Sequence, residues 1–457
     1  MYISPVAPPA AITTKVRLNR IVVESTITAA LGGLLFGFDT AVIAGVTGAL
    51  TDRFHLTAWT LGVAVGIALW GTVLGAAVGG YAGDRWGRRY SLRILAVLFS
   101  LSAIGCGLSW DLTSFILFRL IAGIAIGASS VVGPMYIAEI APASWRGRMV
   151  GSFQVNIVFG ILVAYFSNYV IGTINLGAAE WRWKIGVSAI PAILFFLMLF
   201  RIPRSPRWLI EKGNMREARE VLIKIAGDAA PQEQLEIEES LASDRAAGNQ
   251  PLFSRRYQVP VMLAITIAVF NQFSGINPTL YYLNAIFEKA GFSKTSGDLQ
   301  AVGIGATNLI FTMVAMSIID KVGRKLLLLV GSVGTCVCLS LVAFLFYTGL
   351  HQNLLIIPLV GFVAFFAVSQ GSVIWVYISE VFPNSVRGKG QSLGSFTHWV
   401  VCASLATGFP YVAHLSASGP FIFFAAMMVL QFIVVLKFFP ETKGYTLEQL
   451  QHRLETR

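Results

Sequence analysis

The sequence predicts an all-α membrane protein, with twelve transmembrane helices in two six-helix halves and a cytosolic helical linker between them. Three observations predict this fold class: an apolar composition, twelve long apolar runs, and a motif that occurs twice. Hydrophobic residues make up 55% of the 457 residues and charged residues 12%, whereas a soluble domain carries about 25% charged residues. The composition therefore excludes an ordinary soluble domain.

The apolar runs have the length that crosses a bilayer, about 17–25 residues, and a polar interval separates the first six from the last six. The predicted spans are 21–48, 61–82, 91–109, 112–134, 149–172, 185–201, 259–287, 298–319, 326–348, 354–378, 387–412 and 419–439. The predicted domains are a first half (1–201), a cytosolic helical linker (202–256), a second half (257–440) and a cytosolic C-terminal tail (441–457).

The repeated motif relates the two halves. Tyr136–Arg148 reads YIAEIAPASWRGR and Tyr377–Lys389 reads YISEVFPNSVRGK, an offset of 241 residues. Gly83–Arg89 (GDRWGRR) precedes the first copy, and Asp320–Lys325 (DKVGRK) precedes the second. Two similar sets of membrane helices are typical of transporters, which move a substrate between the halves.

The distribution of basic residues predicts the orientation in the membrane. Of the 34 lysines and arginines, 28 fall on the side of residue 1 and the linker, and Arg119 lies within a span. The remaining five, on the opposite side, are Arg53, Arg182, Lys184, Lys289 and Lys294. Basic loops stay in the cytosol, so both termini are expected there. The same placement argues against nucleic acid as the reason for the net charge of +11.

We expect neither enzyme activity nor a cofactor or metal. The linker, at some fifty residues, is too small for a catalytic domain, and no nucleotide-binding P-loop spacing occurs. All four cysteines fall inside predicted spans, without the spacing and histidine partners of a metal site. These cysteines, interpreted as packing residues, are Cys106, Cys336, Cys338 and Cys402.

Charges of the repeated motif predict ion pairs at the cytosolic helix ends. The predicted gate residues are Asp84, Arg88, Arg89, Glu139 and Arg146 in the first half, and Asp320, Arg324, Glu380 and Arg387 in the second. A hydrated pair contributes little, but several together would bias a two-state equilibrium by a few kcal/mol and hold the cytosolic side shut. The alternative, that basic loops only fix the topology, does not explain the repeated acids.

Two ionisable residues stand out inside the predicted spans, where charge is costly and usually functional: Asp39 in the first and Arg119 in the fourth. Glu24 and Arg93 lie nearer the span ends, from which their side chains can reach the membrane surface. With Arg119 close, the Asp39 carboxylate stays charged; if the arginine moves away, desolvation favours proton uptake. The pair therefore predicts a proton switch. The alternative is a static pair that holds the two spans together.

The other polar residues at membrane depth are amides and aromatics, which suit a neutral polyol because amides both donate to and accept from hydroxyls. In Asn271–Pro278 (NQFSGINP), glycine and proline interrupt an apolar helix, a feature tolerated where a helix lines a cavity. Gln272, Asn277, Tyr281 and Tyr282 follow at near-helical spacing.

The chain resembles the sugar porter family of the major facilitator superfamily, which includes bacterial xylose–proton and glucose–proton symporters and animal facilitative glucose carriers. The marks of the resemblance are GLLFGFDTAVIAG (33–45), GDRWGRR, the YIAEIAPASWRGR repeat, SPRWL, NQFSGIN (271–277) and FPETKG (439–444). It covers nearly everything from about Ala30 to Thr446. The fold that it implies is the major facilitator fold.

The resemblance also implies residue roles. Asp39 matches the proton-coupling acid of the symporters, and Arg119 matches its partner. The implied sugar contacts are Phe36, Gln154, Asn271, Gln272, Asn277, Asn308, Trp375 and Trp399, with Tyr281 and Tyr282 as an outer gate.

Three positions depart from well-known members. Asn271 stands where the family commonly has glutamine, and His398 stands where it has glutamine or asparagine. His398 could contact the sugar or only pack. Ile161 stands where xylose carriers have glutamine and glucose carriers an apolar residue, which favours a hexose.

The sequence therefore predicts a proton-coupled symporter that imports a monosaccharide, with a hexose such as D-glucose favoured. The alternatives are a uniporter of the same fold, a D-xylose–proton symporter, or a non-transporting sugar sensor. The expected partners are a monosaccharide, a proton and membrane lipid, and the chain is expected to be a monomer. The expected location is the inner membrane of a bacterium.

Overall fold

Long α-helices form nearly all of this computed structural model, which describes residues 19–246, 251–383 and 386–444 and contains no strand within them. The helices of the first half are α1 Arg20–Val42, α2 Thr47–Phe54, α3 Ala58–Trp86, α4 Arg88–Leu108, α5 Leu112–Ile140, α6 Arg146–Thr173, α7 Glu180–Gly186 and α8 Ala189–Met198. Short 3-10 turns connect α1 to α2 and lead into α7, so that α1–α2 and α7–α8 each form one continuous span.

The linker and the second half follow. The linker helices are α9 Pro206–Glu211, α10 Met215–Ala226 and α11 Ala230–Ala246. The helices of the second half are α12 Gln258–Phe273, α13 Ile276–Tyr281, α14 Leu283–Lys289, α15 Lys294–Val322, α16 Arg324–Thr348, α17 Ile356–Val368, α18 Gln370–Val381, α19 Arg387–Leu415 and α20 Gly419–Phe438.

Eleven segments of the described chain are long and apolar enough to cross a membrane. The remaining predicted span, 387–412, corresponds to α19, whose 29 residues suffice in length but include polar ones such as Gln391 and His398. The sixth span departs most from expectation. Predicted as 185–201, it occupies Gly177–Met198, because the segment around Lys184 is helical and that lysine is buried rather than exposed in a loop.

The predicted seventh span is broken into three helices, α12, α13 and α14. The first break lies at Gly275, whose φ of +80° is a left-handed backbone conformation that residues other than glycine rarely adopt. A Cβ added there would lie 2.2 Å from the Phe424 ring, so space also requires glycine. The amides of Asn271 and Gln272 before this break are buried, and the cavity-lining role of the segment stays a prediction.

Glycines allow neighbouring helices to approach until their backbones touch. A Cβ on Gly75 of α3 would lie 2.1 Å from the Ile124 carbonyl oxygen of α5, and one on Gly123 of α5 would lie 1.8 Å from the Ala68 oxygen of α3. This small-residue contact is a common way to pack membrane helices. It fixes the position of α5, which carries Arg119.

The largest buried apolar cluster contains residues of both halves, among them Phe38 and Tyr165 of the first and Tyr281 and Trp399 of the second. Two smaller clusters each lie mainly within one half. The linker helix α10 buries Ala218 and Leu222 in the cluster of the first half. The interior between the two halves is therefore the place where a central site can form.

Candidate functional site

Asp39 and Arg119 form a direct ion pair between α1 and α5. Arg119 Nη1 lies 2.6 Å from Asp39 Oδ1, and the two side chains are 2% and 17% exposed. Arg119 Nε is buried without a hydrogen-bond partner, so the guanidinium depends on this carboxylate for compensation of its charge. Losing one member of such a buried pair is expected to cost about 3–5 kcal/mol.

A cavity borders this ion pair. Its walls come from the first half except for one residue of the second half, Tyr281 of α13. The lining residues are Phe36, Asp39, Thr40, Val65, Ala68, Leu69, Thr72, Arg119, Ile126 and Tyr281. The cavity therefore places the carboxylate beside both an aromatic ring expected to contact sugar and a residue expected to act as a gate.

The amides of the broken seventh span form a connected network. Gln272 Nε2 donates to Asn271 Oδ1 at 3.0 Å, and Asn277 Nδ2 donates to Gln272 Oε1 at 2.9 Å. Asn271 Nδ2 donates to the Gln370 carbonyl oxygen at 3.1 Å. The network thus fixes the orientation of the Gln272 amide, which is fully buried.

His398 lies at the end of this network, between two tryptophans. Gln272 Nε2 lies 3.1 Å from His398 Nε2, with the amide as donor and the ring nitrogen as acceptor. The His398 ring centroid lies 5.1 Å from that of Trp375 and 4.9 Å from that of Trp399. Trp399 in turn meets Phe36 across the two halves, with ring centroids 5.4 Å apart. Aromatic faces at this point suit the C–H surface of a sugar.

The remaining predicted sugar contacts occupy different environments. Ile161 and Asn308 are buried, whereas Gln154 is half-buried. Tyr281 and Tyr282 are both buried, and Tyr282 Oη donates to the Ala406 carbonyl oxygen at 2.9 Å while its ring stacks on Phe409. The described contacts connect Gln272, Asn277, His398 and the tryptophans, but do not join Gln154 or Asn308 to them.

The predicted gate charges occur in two clusters at one end of the bundle. We call this end, which carries the turns at Gly87 and Gly323 and the linker, the linker face, and the opposite end the far face. Arg88 Nη2 lies 3.0 Å from Asp84 and 2.9 Å from Glu139. Arg324 Nη2 lies 2.9 Å from Asp320 and 2.7 Å from Glu380. Each arginine thus joins one acid of its own turn to the glutamate of the motif copy.

The two linker-face clusters each lie within one half, as the motif copies predicted, and none of their ion pairs joins one half to the other. Arg89 does not join its cluster, since its Nη1 donates to the Ile202 carbonyl oxygen at 2.9 Å. Arg146 is exposed, and Arg387 has two buried nitrogens without a hydrogen-bond partner. The gate role of these residues stays a prediction, because in this arrangement the two clusters brace helices of a single half.

Glu441 is a residue of the second-half cluster that motif reasoning did not single out. Its two carboxylate oxygens accept from the backbone N–H groups of Arg324 and Lys325 at 2.9 and 3.0 Å, at the start of α16. Burial opposes ionisation, but four backbone donors outweigh it and hold the pKa of Glu441 below its ordinary value. A carboxylate at a helix N-terminus is a recognisable cap, yet the sequence did not indicate that FPETKG folds back onto that helix.

A second missed cluster lies at the far face and connects the halves. Lys184 Nζ of α7 lies 3.0 Å from Asp298 Oδ2 of α15 and 2.9 Å from Glu180 Oε1. The Tyr165 hydroxyl of α6 donates to the Leu280 carbonyl oxygen of α13 at 2.9 Å, also across the halves. Lys184 immediately precedes the predicted span 185–201 and Asp298 opens the predicted span 298–319, so neither stands out in the sequence as a buried charge.

Further contacts close the far face. A Cβ on Gly62 of α3 would lie 1.9 Å from the Thr407 carbonyl oxygen of α19, so these two helices of opposite halves touch through their backbones. A Cβ on Gly305 of α15 would lie 3.1 Å from the Leu162 Cα of α6, a second close approach of helices from opposite halves. The halves are thus in close contact at the far face.

Comparison with known proteins identifies relatives along nearly the whole chain. A family model described as sugar (and other) transporter matches residues 25–454. The D-xylose-proton symporter of Escherichia coli is 37% identical over 465 aligned residues, which cover 93% of this chain and 94% of that protein. The glucose transport protein of Synechocystis is 36% identical, with 92% and 95% covered.

A solved structure gives the same result. The inward open conformation of the xylose transporter XylE from Escherichia coli matches with a TM-score of 0.84 and 35% identity, covering 94% of this chain and 99% of that one. These matches confirm the predicted fold class, with twelve transmembrane helices in two six-helix halves and a helical linker, and they confirm the predicted resemblance.

Proposed function

Because the chain belongs to the sugar transporter family of the major facilitator superfamily, a family of transporters rather than enzymes, we propose that it is a proton-coupled symporter that carries a monosaccharide by alternating access. The observation that carries the proposal is the buried Asp39–Arg119 pair, which borders a cavity shared with Phe36 and Tyr281. A relative named as a D-xylose-proton symporter supports coupling to protons.

Asp39 would take up and release the coupled proton. While Arg119 is 2.6 Å away, the carboxylate is stabilised in its charged form. A movement of α1 relative to α5 would remove that partner from a poorly hydrated carboxylate, and the carboxylate would then be more stable protonated. Proton binding and helix position are linked in this way, because each change favours the other.

The sugar would bind between the amide network of the second half and the aromatic rings at the interface of the halves. Gln272 and Asn277 supply donors and acceptors, and Trp399 with Phe36 supplies apolar faces. We propose a hexose such as D-glucose, on the basis of the apolar residue Ile161. Relatives named for xylose and for glucose make D-xylose the competing substrate.

The linker face is proposed to lie in the cytosol of a bacterium, since 28 of the 34 basic residues fall on that side. The far face would then lie outside the inner membrane. With the far face closed by contacts between the halves, the structure would represent an inward-facing state, which agrees with the inward open conformation of its structural relative.

The test is uptake of radiolabelled D-glucose into proteoliposomes, with and without an inward proton gradient, with D-xylose and D-galactose as competitors. We expect gradient-driven accumulation above the outside concentration. Asp39→Asn should abolish accumulation while exchange of sugar survives. Glu24→Gln is the control, because Glu24 forms only an exposed pair with Arg20 and its loss should leave accumulation unchanged.

Other outcomes of this uptake experiment would change the proposed function, the proposed role of Asp39 or the proposed substrate. The same final sugar level with and without the gradient would indicate a uniporter and leave Asp39–Arg119 as a structural pair. Undiminished accumulation by Asp39→Asn would exclude Asp39 as the coupling acid. Stronger competition by xylose than by unlabelled glucose would replace the hexose with a pentose as the preferred substrate.

A further inference from the structure

Five polar side chains form a compact cluster between the halves at the far face. Lys184 Nζ contacts Glu180 Oε1 at 2.9 Å and Asp298 Oδ2 at 3.0 Å. Lys294 Nζ contacts the same Glu180 oxygen at 3.0 Å, and Asn284 Nδ2 donates to Asp298 Oδ1. Lys184 and Glu180 belong to the first half, whereas Asp298, Lys294 and Asn284 belong to the second, so two ion pairs join the halves.

The central pair of this cluster is withdrawn from water. The side chains of Lys184 and Asp298 are 0% and 2% exposed. The packing leaves little room, since a Cβ on Gly172 of α6 would lie 3.0 Å from Asp298 Oδ2. Two buried charges at this distance stabilise each other, because separation would leave Asp298 with only the Asn284 amide and Lys184 with only Glu180. The pair therefore favours strongly the arrangement in which the halves touch here.

Alternating access requires the halves to separate at this face during each cycle. The linker-face clusters around Arg88 and Arg324 each lie within one half and can survive that movement intact. The Lys184–Asp298 pair cannot, because its members lie on α7 and α15 of opposite halves. The Lys184–Asp298 pair must therefore break whenever the far face opens.

We propose that the Lys184–Glu180–Asp298–Lys294 cluster is an ionic latch that holds the far face closed and sets the ratio of inward-facing to outward-facing molecules. This inference rests on the proposed alternating-access function. When the far face opens, water reaches the separated charges and replaces the lost partners in part. The latch adds to the energetic cost of opening, and sugar binding from outside requires the open state.

The test measures the separation of the halves at the far face without any transport. Leu176→Cys in the first half and Leu415→Cys in the second are exposed positions for spin labels, in a background whose four native cysteines are replaced. Electron–electron double resonance in lipid nanodiscs then gives the distance distribution. With the latch residues unmodified, we expect the distance between the two spin labels to be predominantly short.

Lys184→Met should increase the ratio of long-distance to short-distance molecules by about tenfold or more, equivalent to about 1.4 kcal/mol. Lys294→Met should have a smaller effect, since the Lys294 side chain is 50% exposed. Arg216→Met is the matched control, because it breaks an exposed pair in the linker helix α10 and should leave the distribution unchanged.

A second variant separates the latch from general stability. Lys184→Met leaves Asp298 as a buried, unpaired charge and can impair folding. The double variant Lys184→Met/Asp298→Leu removes both charges, and it should recover thermal stability while still populating the long distance. If neither variant changes the distance distribution, the latch is refuted. Because no sugar or proton gradient is involved, this result is independent of whether uptake proves to be coupled.

Discussion

Neutralising Asp39 should affect stability and coupling in two separable ways. Arg119 is 2% exposed, its Nε has no partner, and its Nη1 lies 2.6 Å from the carboxylate. Loss of one partner of a buried pair costs about 3–5 kcal/mol. Asp39 is 17% exposed, and the asparagine amide oxygen can still accept, so for Asp39→Asn we expect the lower end of that range, about 3 kcal/mol.

The double variant Asp39→Asn/Arg119→Leu removes the uncompensated charge. A buried ion pair can often be replaced by apolar or neutral groups at little net cost, so the double variant should regain most of the melting temperature lost by the single one. It should not regain accumulation, because no titratable group remains at position 39 to carry the proton.

The assay combines melting temperature in detergent with uptake by proteoliposomes under an inward gradient of one pH unit and no membrane potential. One pH unit corresponds to about 1.4 kcal/mol, so one proton per sugar supports at most about tenfold accumulation. The unmodified protein should approach that ratio of internal to external sugar, whereas with either variant the internal and external sugar concentrations should become equal. Accumulation by the double variant would refute the assignment of coupling to this pair.

Three further outcomes follow from the geometry. Gly75→Val should prevent the close contact of α3 with α5, since even a Cβ would lie 2.1 Å from the Ile124 oxygen; membrane-inserted yield and melting temperature would both fall sharply. His398→Gln, which keeps a polar partner for Gln272 at 3.1 Å, should retain transport with a changed KM. His398→Leu should raise the KM about tenfold or more, because one N–H of the buried Gln272 amide loses its acceptor. Glu441→Gln should destabilise by about 1 kcal/mol at pH 7. The folded pKa of Glu441 is depressed, so the stability that its carboxylate contributes is present above the unfolded pKa of about 4.3 and disappears as pH falls through the lower folded value. The difference in melting temperature between Glu441→Gln and the unmodified protein should therefore shrink below about pH 4.

Local chemistry was enough to predict the parts of the site that lie within one segment. The charge of Asp39 inside an apolar run indicated a paired residue, and Arg119 was the other charge at membrane depth. The glycine and proline of NQFSGINP indicated a broken helix, and the break is found at Gly275. In each case the cost of burying a polar group or a strained backbone is visible in the sequence itself.

Two contacts between distant segments were not predictable in the same way. Lys184 and Asp298 are each the kind of residue found at a helix end beside water, and only the packing of α7 against α15 buries them together. Likewise, FPETKG gave no sign that Glu441 caps α16, more than a hundred residues earlier in the chain. These pairings depend on tertiary geometry, which the periodicity of a single span does not encode.

The repeated motif builds the same bracing twice. Arg88 and Arg324 each donate to a carbonyl oxygen five residues earlier, Gly83 and Ile319.

The tyrosine that opens each motif copy acts in parallel. Tyr136 Oη donates to the Pro203 carbonyl oxygen at 2.8 Å, and Tyr377 Oη donates to the Pro440 oxygen at 3.2 Å. Each copy therefore ties its half to the segment that leaves its sixth span. A set of contacts that is repeated within each half can make each half rigid, but it does not determine how the two halves are arranged relative to each other. That arrangement depends on contacts between the halves that the repeat does not duplicate, and the Lys184–Asp298 pair is one of them.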